Sequence, residues 1–176
     1  GSRQAISTGF QKLDSWLDGG LYTGLYVLGA ISSVGKSSFL LQMGDWISKE
    51  WDVLYFSLEM GKEELMAKSI SRLSFLLDQQ AGRPNALSLR QVFRMDAPAD
   101  SPPGQLLAKA VETYRSQAGR LFIREGMADI GAREIRDAVR EHIRLRGRKP
   151  VVLVDYLQIL KPEDPRATDK QNTDRA

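Results

Sequence analysis

Four short apolar runs, at 25–30, 53–58, 121–123 and 151–154, are separated by segments whose apolar residues recur at helical spacing. That alternation narrows the fold class sharply. Parallel strands cannot be joined by tight turns and need crossovers of a dozen or more residues, so β-type runs spaced by helical patterns imply an α/β chain with a mainly parallel sheet flanked by helices. With 176 residues, 42% of them hydrophobic, the chain can bury one core and is too short for two comfortable domains.

Phe39, Leu40, Met43 and Ile47 give the segment after the first run an apolar helical face. A second helix is expected after Gly61. Glu63 and Glu64 stand in its first turn, where the helix dipole favours carboxylates, and Leu65, Met66, Ile70, Leu73 and Leu77 form its buried stripe. Two more helices are expected at 105–117 and 132–146. Between them, 78–104 holds four of the seven prolines, Pro84, Pro98, Pro102 and Pro103, around a short helix at 88–93, and reads as an excursion from the core. Gly1 and Ser2 read as a tag remnant, 3–160 as the folded domain and 161–176 as a flexible tail of mixed charge.

Composition excludes several classes of function. There are no cysteines, so disulfides and thiolate metal sites are ruled out. The longest uncharged stretch, 19–35, is broken by glycines, Thr23 and serines and cannot span a membrane, so a cytoplasmic protein with no membrane contact is expected. The net charge of +3 permits nucleic-acid contact without requiring it.

The chemistry concentrates in Tyr26 to Phe39, where an apolar run meets a Gly/Ser turn and Gly35-Lys36-Ser37 opens a helix. Strand, glycine turn and helix in that order let successive backbone N–H groups and a helix N-terminus converge on phosphate oxygens. The usual pattern has glycine six positions before the lysine; here Ala30 stands there, with Gly29 one step earlier. Ser32, Ser33, Val34, Gly35, Lys36, Ser37 and Ser38 form the expected nucleotide-binding set. Lys36 is assigned to the β/γ-phosphates of ATP and Ser37 to Mg2+. Val151-Val152-Leu153-Val154 delivers Asp155 to the C-terminal edge of the sheet, within reach of the same Mg2+. Many ATPases place a glutamate after that aspartate, but Tyr156 occupies the position here. Glu59, closing the run 53–58, is the alternative carboxylate for activating water.

Other candidates are weaker. Arg133, Arg136, Arg140 and Arg144 form a basic stripe interleaved with Glu134, Asp137 and Glu141, which reads as a solvated helix face. His142 has no clustered partner and is expected to be structural. Trp16, Trp46 and Trp51 share no stripe with lysines or arginines, so no base-stacking platform is expected.

Taken together, these motifs resemble the C-terminal ATPase domain of DnaB-type replicative DNA helicases, in the RecA-like group of P-loop NTPases. Ile6-Ser7-Thr8-Gly9-Phe10, Leu13-Asp14 and Gly19-Gly20-Leu21 look like the family's opening segment, and Ser32 to Ser37 like its phosphate loop. Phe56-Ser57-Leu58-Glu59-Met60 resembles the segment carrying its catalytic glutamate, and Asp155-Tyr156-Leu157-Gln158 its metal-side strand end. The last two are the most specific, because recombinase and clock-type ATPases share the cradle but usually lack both. The resemblance implies a hexameric ring that hydrolyses ATP at subunit interfaces, moves single-stranded DNA through its centre and unwinds DNA. Only 21 residues follow Asp155, so the family's later strands, polar sensor, arginine finger and DNA-binding loops are expected outside this sequence. The chain is therefore expected to bind nucleotide and to be weak or inactive as a hydrolase alone. A RadA/KaiC-like recombinase-type ATPase and a degenerate nucleotide-binding assembly module without hydrolysis are the alternatives.

Overall fold

Three five-residue strands, β1 (Val53–Ser57), β2 (Leu121–Glu125) and β3 (Val151–Asp155), pair in parallel in the order β2-β1-β3 in the computed structural model. The structure describes residues 4–29, 33–82, 84–125 and 130–155. Among these described residues, six α-helices surround the sheet: α1 (Gln11–Trp16), α2 (Ser33–Ile47), α3 (Lys62–Ala81), α4 (Leu89–Arg94), α5 (Pro102–Gln117) and α6 (Ala132–Arg146). A 3-10 turn, Ala118–Arg120, leads from α5 into β2.

β1 is buried along its whole length, as expected for an uninterrupted apolar run covered on both faces. Val53 and Tyr55 pack with Leu153 against Leu41, Met43 and Ile47 of α2. Leu54 and Phe56 pack on the other face against Ile130 and Ala138, the latter from α6. Gly44 lets α2 approach closely, since a β-carbon there would lie 3.2 Å from Leu153 Cδ1. On α6 the buried positions are Ala138 and His142, with Ile135, Val139 and Ile143 half-buried beside them.

The 78–104 excursion is stitched to α3. Asp78 Oδ2 accepts from the N–H groups of Asn85 and Ala86 at 2.6 and 2.8 Å, while Ser71 and Ser74 hold Leu87 by its carbonyl and its N–H. Leu87 and Val92 then bury against Ala67, Ile70, Leu107, Ala110 and Tyr114, a second core shared by α3, α4 and α5. Helix α5 starts at Pro102, earlier than its pattern suggests, because Ser101 caps it and proline loses nothing at a position whose N–H has no helical partner.

One expected strand is absent from the described residues. Residues 25–29 lie outside any strand, with Leu25 85% and Val27 69% exposed, and Ala30 lies outside the described residues. An apolar run becomes a strand only through a ladder partner, and this one instead follows a local loop. Tyr26 Oη accepts from the N–H of Tyr22 at 3.0 Å, around Gly24 at φ +159°.

Candidate functional site

All three strands end level, with Ser57 opposite Glu125 on one side and Asp155 on the other. The N–H of Leu58 donates to the Asp155 carbonyl at 2.9 Å, so Glu59 leaves the sheet beside the end of β3 and is exposed there. Ser57 shapes the turn: its Oγ donates to the Met60 carbonyl at 2.7 Å and accepts from the Met60 N–H at 3.2 Å.

The N-terminal turn of α2 comes to the same edge. Lys36 Nζ lies 3.4 Å from Asp155 Oδ1, with side chains 17% and 8% exposed. Water screens such a pair much less than one at the surface. Ser37 follows Lys36 and is buried. Gly35 faces open space: apart from its chain neighbours and the backbone of its own helix, no atom of the described residues lies within 4 Å of where a β-carbon would stand. The first N–H groups of a helix have no partner within it and carry the positive end of its dipole. Ammonium and helix terminus suit phosphate oxygens; hydroxyl and carboxylate suit a hard divalent cation.

The cradle differs locally from its sequence pattern. Gly35 was expected to open the helix, but α2 begins two residues earlier, at Ser33. Ser33 and Val34 therefore lie in its first turn, and Ser38 is exposed one residue beyond Ser37. Ser32, Tyr156, Leu157, Gln158 and the 161–176 tail lie outside the described residues.

Away from this edge, the opening segment is explained by structure. Asp14 accepts from Ser7 Oγ, Thr8 N–H and Thr8 Oγ1 at 2.6, 2.8 and 2.6 Å. Burial pushes its carboxyl up, but these bonds outweigh that and hold it below its usual value. His142 is structural as expected, buried 2.9 Å from Asp52. The arginine stripe of α6 is exposed, with Arg144 forked onto Glu141 at 2.9 and 2.6 Å.

Sequence reasoning missed two features. Lys49 and Lys12 do lie over Trp46 and Trp16, at 4.5 and 5.6 Å, at spacings along the chain that were readable. Glu125 also closes a strand, but Arg124 separates it from the apolar run 121–123, so it lacks the direct signal that singled out Glu59 and Asp155.

Comparison with known proteins gives the family. The profile described as DnaB-like helicase C terminal domain matches residues 5–175. The chain belongs to the DnaB-like helicase C-terminal domain family. Among curated DnaB-like relatives, the replicative DNA helicase DnaB of Haemophilus influenzae is 27% identical over 158 residues, covering 89% of this chain and 31% of the relative. A probable replicative DNA helicase of Trieres chinensis is 23% identical over 169 residues, covering 94% and 33%. The chain thus spans about a third of the length of these relatives. Among solved structures, one described as an ATPase domain superposes with a TM-score of 0.71 at 23% identity, covering 94% of this chain and 54% of that one. The fold is the RecA-like one expected of a DnaB-like domain. Among the described residues, no helix is long and apolar enough to cross a membrane.

Proposed function

We propose that this chain is the ATP-binding core of a replicative DNA helicase, which couples ATP hydrolysis to movement on single-stranded DNA and to duplex unwinding. The observation that carries the proposal is the approach of Lys36 to Asp155 at the sheet edge where β1 releases Glu59. Residues from three distant parts of the chain supply a cation, a carboxylate beside it and a second, exposed carboxylate. Family membership favours the helicase over the recombinase-type alternative.

In this scheme Lys36 and the N–H groups at the start of α2 hold the β- and γ-phosphates. Ser37 and Asp155 would hold Mg2+, which when bound would supply positive charge beside the phosphate oxygens. Glu59 orients the attacking water and accepts its proton. Partial burial of Lys36 and Asp155 keeps the field on the phosphates strong. The intact protein works as a ring, a hexamer, around single-stranded DNA and acts in the cytoplasm.

The test is DNA-stimulated ATP hydrolysis by the intact protein. Replacing Glu59 by glutamine should lower turnover by about 10² to 10⁴ while leaving nucleotide binding in place. Wild-type turnover in that variant would refute the choice of base.

A further inference from the structure

On the flank of β1 opposite Asp155, the sheet edge ends in a carboxylate that the reaction scheme leaves unused. Glu125 is the last residue of β2 and is level with Ser57. Its side chain reaches across the edge, where Oε2 accepts a hydrogen bond from the N–H of Lys62, the first residue of α3. The same oxygen lies 3.2 Å from where a β-carbon on Gly61 would stand. Gly61 is the N-cap of α3 and, having no side chain, makes no side-chain cap bond. Glu125 thus supplies from another strand the cap that the local sequence lacks, and its charge suits the positive end of the helix dipole.

Only four residues, 58–61, connect β1 to α3, and Glu59 is among them. Their upstream end is fixed by the Leu58 bond to the Asp155 carbonyl and by the two bonds between Ser57 and Met60. Glu125 fixes the downstream end. We infer that Glu125 is a positioning residue: by tying the start of α3 to the end of β2, it holds the turn that aims Glu59. The inference rests on Glu59 being the base proposed above. A base must be held close to its working geometry, because small misplacements cost large factors in rate. Glu125 moves no proton in this role; it acts as a hydrogen-bond acceptor, which a glutamine oxygen can replace.

The test is a kinetic cycle in the intact protein using Glu125→Ala and Glu125→Gln, each alone and combined with Glu59→Gln. Glu125→Ala should lower kcat about tenfold or more with KM for Mg-ATP within about twofold, and Glu125→Gln should restore most of the loss. In the Glu59→Gln background, Glu125→Ala should change turnover by less than about twofold, because its target is already gone. Unchanged kcat in Glu125→Ala, or the same loss in both backgrounds, would overturn the inference. Amide exchange on the present chain gives a second measurement that needs no turnover. Exchange at 58–65 should be about tenfold faster in Glu125→Ala than in wild type or Glu125→Gln. Unchanged exchange overturns the inference whatever the kinetics show. If Glu59→Gln alone keeps wild-type turnover, the base assignment has failed, and exchange still decides whether Glu125 holds the turn.

Discussion

Replacing Asp52 by alanine should destabilise the domain by about 2–4 kcal/mol at neutral pH. Asp52 immediately precedes β1, at the opposite end of the sheet from Lys36. Its side chain is fully buried and accepts from His142 Nε2 at 2.9 Å and Arg146 Nε at 3.2 Å, both in the last turns of α6. Phe122 completes the cluster, edge-on to His142 and beneath the Arg146 guanidinium. Removing one partner of a buried pair costs about 3–5 kcal/mol. Here Arg146 is 43% exposed, so water compensates part of its loss and lowers the figure. For a chain of this size the change corresponds to a drop in Tm of very roughly 4–16 °C.

The effect should also depend on pH in a definite direction. Burial pushes the Asp52 carboxyl up, but the Arg146 and His142 hydrogen bonds and charges outweigh that and hold it below the usual carboxylate range. Its stabilising contribution is therefore complete above the unfolded value of about 3.9 and disappears as pH falls through the lower folded value. Urea unfolding of wild type and Asp52→Ala from neutral pH down through the acid limb checks both points. A loss under about 1 kcal/mol at pH 7, or a gap that does not narrow below about pH 4, would refute the reasoning.

Three further changes follow from named contacts, each measured by thermal or denaturant unfolding. Gly9→Ala should cost about 2 kcal/mol or more, because Gly9 has φ +83° and a β-carbon there would lie 2.5 Å from Trp46 Cγ. Tyr55→Phe should leave stability unchanged or raise it by about 1 kcal/mol, since the buried hydroxyl has no hydrogen-bond partner among the described residues. Ser88→Ala should cost about 1 kcal/mol by removing the reciprocal cap of α4 with Gln91.

The central strand and the edge where β1 and β3 end together were legible because their signals are local. The uninterrupted run Val53–Ser57 could be satisfied only by burial on both faces, and the run ending at Asp155 specified the end of a neighbouring parallel strand. The run at 25–29 carries much the same apolar signal, yet strand formation depends on a ladder partner, which the sequence does not name. The 78–104 stretch looked detached because proline is visible in a sequence, whereas the bonds from Asp78, Ser71 and Ser74 that fasten it are not. The contact of Glu125 with α3 was hidden for the same reason: its partner is a backbone amide 63 residues away.

Calorimetric titration of this chain with Mg-ATP, wild type beside Lys36→Ala, tests the account most directly. Binding by the wild type and at least about tenfold weaker binding by the variant, roughly 1.4 kcal/mol, is the predicted result, with both proteins melting within a few degrees of each other in the absence of nucleotide. Equal affinity in two folded proteins, or no binding by the wild type, would contradict it.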